Sequence, residues 1–126
     1  MEILNLEYVK SRMNGVVPMK VDTSGVQYED DDKIEETIKE AESLVLSYCR
    51  MVGIDILDLS VETAIELRPH AFNIFLYNIS ENTLTDVVKE KYEKSIKYLN
   101  DVADGRAVLR TKISKKSGFR TIRLNI

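Results

Sequence analysis

"TDVVKEKYEKSIKYLNDVADG", residues 85–105, is the stretch that decides the fold class. Val88, Tyr92, Ser95 with Ile96, Leu99, and Val102 with Ala103 recur at spacings of three and four, the period of one helix face. Thr85 predicts the start, because its hydroxyl can accept a hydrogen bond from a free amide of the first turn. Gly105 predicts the end, at the left-handed position that closes many helices. Glu90–Lys94 and Glu93–Lys97 stand in the favourable i,i+4 order, each contributing about 0.3 kcal/mol. A helix with one apolar stripe needs other helices to cover it, so the rest of the chain must supply them.

Upstream, "VETAIELRPHAFNIFLYNIS" (61–80) is apolar on more than one face between Ala71 and Ile79. That pattern belongs to a central, buried helix. Ser60 is its predicted cap, and Pro69 predicts a kink or a restart, since proline lacks an N–H and crowds the preceding turn. Before it, "EDDDKIEE" (29–36) opens the first long helix, with Asp32 and Glu35 spaced as a capping box and the acidic run facing the positive helix end. Ile34, Ile38, Ala41, Val45, Tyr48, Cys49 and Val52 form its stripe, and Gly53 ends it. "NLEYVKSRM" (5–13) predicts a short helix capped by Asn5, with Leu6, Val9 and Met13 on one face and Asn14-Gly15 as its stop. Gly15, Pro18, Asp22, Ser24 and Gly25 then predict an irregular exposed loop over 14–30.

The fold expected is mainly α. It is a small bundle of one short and three longer helices, the second kinked near Pro69, with residues 1–105 as the helical body. After Asp104 there is no Asp or Glu, while Arg106, Arg110, Lys112, Lys115, Lys116, Arg120 and Arg123 give +7. The remainder holds the other 11 Lys and Arg and all 21 Asp and Glu, a charge of −10. Within 106–126, "AVLRTKI" and "FRTIRLNI" alternate apolar and polar residues around the turn-forming "SKKSG", which predicts an extended or β-hairpin C-terminal arm. A lone hairpin is marginal in water, so the arm needs something to lie against. Leu109, Arg110, Lys112, Ile113, Phe119, Arg120, Ile122 and Arg123 are the candidate docking residues: their apolar members argue against a merely solvated tail, and strand addition would use both the charge and the alternation.

The chemistry of catalysis is thin in this sequence. His70 is the only histidine and Cys49 the only cysteine. Together they exclude an intramolecular disulfide and a zinc site of ordinary ligand spacing. His70 is expected to be structural, and Cys49 to be a small buried apolar group. Glu29 to Asp32 lacks the alternating ligands and central glycine of a calcium loop, and no glycine-rich stretch continues into a phosphate-binding motif. No enzyme activity, cofactor or metal is expected. The N-terminus has no basic leader before an apolar run, so no signal peptide is expected, and "AFNIFLY" is too short to span a bilayer.

Several segments resemble the Mu-like phage head–tail connector, or adaptor, family. They are "LEYVKSRM", "DTSGVQYEDDDKIEETIKEAESLVLSYC", "LRPHAFNIFLYNIS" and "VVKEKYEKSIKYLNDVADGRAVL", together spanning about 4–109. The chain departs from the family pattern in having no proline in "IDILDLS" and Ser95 where alanine is usual. The resemblance implies a structural virion protein, found in the virion and in the host cytoplasm during assembly. It implies a homo-oligomeric ring that joins the portal protein to a downstream tail or stopper protein. DNA would pass through its channel without sequence-specific binding, and no membrane is involved. The alternative is a small nucleic-acid-binding regulator with a basic C-terminal arm, which the charge of the body opposes because phosphate binding needs a broad positive face.

Overall fold

The computed structural model describes residues 3–13, 17–54, 59–80 and 85–106. In chain order the elements are α1 (Leu6–Arg12), β1 (Met19–Val21), β2 (Gln27–Glu29), α2 (Asp31–Arg50), α3 (Val61–Ile79) and α4 (Asp86–Ala103). The fold is mainly helical, as the periodicity predicts, with one small antiparallel sheet.

Each helix begins on a side chain that takes up a free amide. Asn5 accepts from Tyr8, Asp30 from Lys33, Ser60 from Thr63 and Thr85 from Val88. Two helices end on glycines in the left-handed region, Gly53 and Gly105, both at φ +80°. At each of them two amides fold back on the last turn. Ile54 N–H donates to the Cys49 carbonyl and Gly53 N–H to that of Arg50; Arg106 N–H donates to Asp101 and Gly105 N–H to Val102. This double bond pattern satisfies carbonyls that would otherwise be left without partners.

The start of α2 corrects the sequence reading. The cap is Asp30, not Asp32, so the box with Glu35 does not form. Asp30 N–H donates to the Pro18 carbonyl at 2.8 Å, which fixes Asp30 at the base of the hairpin and leaves its carboxylate turned to Lys33 N–H. The helix also stops at Arg50, two residues short of Val52.

Pro69 does not divide α3, which runs unbroken from Val61 to Ile79. The restart reading is therefore excluded. Proline has no N–H to offer the Ile65 carbonyl one turn earlier. Ile65 is 55% exposed, so water can take the place of that bond.

α3 packs against both α2 and α4, the central position expected of it. Val9, Ile34, Val45, Leu67, Ile74, Phe75 and Leu99 are fully buried at the junction, and Ala41 and Ala71 let the backbones approach. α3 and α4 are antiparallel: Glu66 meets Tyr98, His70 meets Ser95 and Tyr77 meets Tyr92. The end of α3 lies beside the start of α2, where Asn78 shares a groove with Asp32 and Glu36. α2 and α4 therefore point the same way. The N-terminal segment crosses this bundle, with Tyr8 edge-on to Phe72 and the Ile3 carbonyl accepting from Arg68 Nε at 2.8 Å.

The expected irregular loop over 14–30 is instead a hairpin over much of its length. β1 and β2 pair Met19 with Glu29, Lys20 with Tyr28, and Val21 with Gln27. Asp22 builds the turn: its Oδ1 accepts from Ser24 and Val26 N–H at 2.8 and 2.9 Å, and its carbonyl accepts from Gly25 N–H. Gly25 has φ +83°, the left-handed residue that a three-residue hairpin loop requires. On α4, Glu90–Lys94 pairs as expected at 3.0 Å, but Lys97 turns to Asp101 at 3.3 Å rather than to Glu93.

Candidate functional site

The docking residues read from the sequence, Leu109, Arg110, Lys112, Ile113, Phe119, Arg120, Ile122 and Arg123, all lie outside the described residues. The assignment of 106–126 as a separate arm lies there too, apart from Arg106. What the structure does define is the surface of the body.

Cys49 and His70 are both taken up in the packing of the body. Cys49 is fully buried on α2, and burial pushes its thiol up to about 11, away from the reactive thiolate. His70 stacks on Tyr98, with ring centroids 4.2 Å apart and planes 9° apart. Its Nδ1 lies 3.0 Å from Ser95 Oγ, which also accepts from Asn73 Nδ2 at 2.9 Å. Ser95 is 1% exposed and has one proton to give, so the network is complete when its hydroxyl donates to an unprotonated Nδ1. Burial accordingly holds the His70 pKa below its ordinary value. Tyr98 hydroxyl donates to Glu66 at 3.2 Å, and burial, reinforced by that carboxylate, pushes the phenol up to about 12. Among the described residues, no three His, Cys, Asp or Glu side chains come together as metal ligands.

The Glu29 to Asp32 run works through lysines rather than as a cation loop. Lys10 of α1 pairs with Glu29 and, at 3.0 Å, with Asp31. Lys20 of β1 lies 3.5 Å from both Asp30 and Asp32. Both ammonium groups are raised in pKa, Lys10 first by its hydrogen bond to Glu29 and Lys20 first by the charge of Asp30. The hairpin is thus tied to α1 and α2 by charge, at the corner where the bundle begins.

Two features meet at that corner. The first is apolar. Met19 is 51% exposed, Val21 and Val26 59% each, and Tyr28 44%; these are four of the nine large exposed hydrophobics among the described residues. The second is acidic. Residues 19–42 hold nine Asp and Glu against three Lys, a charge of −6 out of the body's −10. Asp30 at the cap of α2, and Asp32, Glu36 and Glu40 on it, line an open groove of about 480 Å³ together with Lys33, Thr37 and Asn78. Exposed apolar area and concentrated charge thus lie side by side at one corner of the body. The sequence signal for the hairpin was present: Asp22 and Gly25 at the ends of a four-residue turn, flanked by "MKV" and "VQYE".

The family model for bacteriophage Mu, Gp36, matches residues 10–118 of the chain. The chain belongs to the bacteriophage Mu Gp36 family. It is thus a Mu-like phage protein, the coarser part of what the resemblance implied. The Gp36 match takes in α2, α3 and α4 and runs on to Gly118, beyond the 109 at which the resemblance was drawn. Leu109, Arg110, Lys112 and Ile113 therefore fall within the Gp36 match, while Phe119, Arg120, Ile122 and Arg123 follow it. Among curated proteins and among solved structures, nothing matches the chain. No described helix of this Gp36-family protein is long and apolar enough to cross a membrane.

Proposed function

We propose that this Gp36-family protein is a structural component of a phage particle, a head–tail connector that joins the portal to the tail as an oligomeric ring around the DNA channel. The observation that carries the reading is the family match across the helical body and into the basic segment. The surface is in keeping with it. A ring needs heterologous contacts, in which one face of a subunit meets a different face of the next. An acidic, partly apolar corner and a basic, alternating C-terminal segment are such a pair. Complementary charge speeds encounter and fixes orientation more than it raises affinity.

In this reading the protein is no enzyme and carries no cofactor. It acts in the virion, and in the host cytoplasm while particles assemble. DNA passes it without sequence-specific contact. The buried Cys49 and the stacked His70 serve the body, not a reaction.

The test is co-sedimentation of the full chain with purified portal rings, beside a chain lacking 107–126. The full chain is expected to bind and the shortened chain to lose binding while keeping its helical circular dichroism. A shortened chain that binds and assembles like the full one overturns the role of the C-terminal segment. A full chain that ignores the portal but shifts duplex DNA in a salt-sensitive way favours the nucleic-acid reading instead.

A further inference from the structure

The hairpin is a two-stranded sheet, and its hydrogen-bond parity can be worked out. Asp30 N–H donates to Pro18 carbonyl and Asp22 N–H to Val26 carbonyl, so residues 18, 20 and 22 of the first strand face the second. The amides and carbonyls of Met19 and Val21 therefore point away from it, along the outer edge of β1. No described strand pairs with that edge. The side chains of Met19 and Val21 share one face and are each more than half exposed. Pro18 faces the second strand, so the missing amide of a proline does not blunt the outer edge, and an open edge with exposed apolar side chains is a template for another strand.

We propose that the outer edge of β1, with the acidic face of α2 behind it, receives the segment 107–126 of a second copy of this chain as an added strand. This rests on the docking role given to that segment above. Three further observations select the occupant. Residues 107–126 carry six Lys and Arg and no acid, a charge of +6, against −6 for residues 19–42. The segment alternates, with Arg110 and Lys112 between Leu109 and Ile113, and Arg123 between Ile122 and Leu124. The pattern gives a strand one apolar and one basic face, suited to Met19 and Val21 on one side and the carboxylates on the other. The segment also departs from the end of α4, and α4 points the same way as α2. Its root lies about 27 Å, an eighteen-residue helix length, from the corner where α2 begins. Socket and segment at opposite ends of one body give a head-to-tail contact, the heterologous kind that builds rings.

The test uses full-length single variants mixed under mild oxidation: Val21→Cys with Ile113→Cys, and Val21→Cys with Ile122→Cys. Val87→Cys, on the exposed face of α4, replaces Val21→Cys as the location control. Cys49 is fully buried and does not compete. Disulfide-linked heterodimers are expected from V21C with at least one partner. They should be lost with V87C, and reduced several-fold in about 1 M salt, where the screening length falls to about 3 Å. No heterodimer from either pair overturns the proposal. So does an internal disulfide in the doubly substituted chain without heterodimers in the mixtures, which would give the socket to the chain's own segment. Portal co-sedimentation separates the two readings. Portal binding without these links sinks the socket and leaves the connector; links without portal binding do the reverse.

Discussion

Glu42 Oε2 accepts hydrogen bonds from the amides of both Ile3 and Leu4, at 2.9 Å each. One carboxylate oxygen from the middle of α2 thus anchors the N-terminal segment, 39 and 38 residues away in sequence. Ile3 and Leu4 are 1% exposed, so their amides have no water to fall back on. Glu42→Ala is expected to lower stability by about 2 kcal/mol, since it strips a charged acceptor from two buried donors. Glu42→Gln keeps an acceptor and should cost less. Urea unfolding of the three proteins gives the order, and hydrogen exchange should show faster loss at Ile3 and Leu4 in E42A than elsewhere.

Ser95 is the joint of a three-way contact with His70 and Asn73. Ser95→Ala leaves the Asn73 amide and His70 Nδ1 without it and is expected to cost about 1–2 kcal/mol. Double-mutant cycles with Asn73→Ala should show coupling, because both side chains act on one oxygen. Additive effects would mean that the contact contributes nothing of its own.

His70 gives the body a pH dependence of defined sign. Its pKa is lowered in the folded state by burial, while in the unfolded chain it sits near the ordinary value of 6.5. Well above pH 6.5 both states are unprotonated and the group contributes nothing to the pH slope. As pH falls through about 6.5, the unfolded chain takes up the proton first, so stability drops until the folded pKa is passed and then levels. Unfolding measured between about pH 7.5 and about pH 5 should show this fall, and His70→Gln should flatten it while lowering stability at all pH through loss of the ring stack on Tyr98. An equal slope in H70Q would place the pH dependence elsewhere.

Pro69 sits in an exposed turn of an otherwise regular helix. Pro69→Ala restores an N–H for the Ile65 carbonyl and removes a poor helix former, a gain of up to about 3 kcal/mol. Freeing the unfolded chain takes back about 1 kcal/mol of it. The net expectation is a protein more stable by about 1–2 kcal/mol, with Tm raised by roughly 4 °C per kcal/mol. A thermal melt followed at 222 nm decides it; a fall in Tm would mean that the proline matches a bend on which the packing of α3 depends.

Gly25 tests the hairpin separately from the bundle. Its φ of +83° suits glycine, and no atom stands within 4 Å of where a Cβ would lie, so only backbone strain opposes a side chain. Gly25→Ala is expected to cost the hairpin about 1 kcal/mol. The amides of β1 and β2 should exchange faster, with the melting of the helices unchanged.

Much of the helical body was legible because its signals are local. Asn5, Ser60 and Thr85 cap within three residues of themselves, and Gly53 and Gly105 close their helices by local bonds. The stripe on α4 pointed to Leu99 and Val102 as core. The acidic start of α2 was less determinate, since four consecutive carboxylates offer several caps; the choice of Asp30 is made by its bond to Pro18, a tertiary fact. Lys97 likewise had two carboxylates in reach, one turn to either side. Three-residue strands are too short for alternation to stand out, which hid the hairpin, and only the Asp22–Gly25 turn betrayed it. The stack of His70 on Tyr98 and the sharing of Ser95 depend on how α3 and α4 are set against each other, and no periodicity within one helix encodes that. The basic segment was legible as charge and alternation, but the open edge proposed to receive it depended on seeing the hairpin.

The tie between hairpin and bundle has one more consequence. The hairpin gives little apolar surface to the core, and two lysines hold it against carboxylates of α2 and its own base. Burial is nearly indifferent to dissolved ions, whereas such exposed pairs fade as ions screen them. The molecule therefore has two tiers of rigidity under separate control. Raising ionic strength is expected to loosen residues 18–29 while the helices hold, which amide exchange at low and high salt would show.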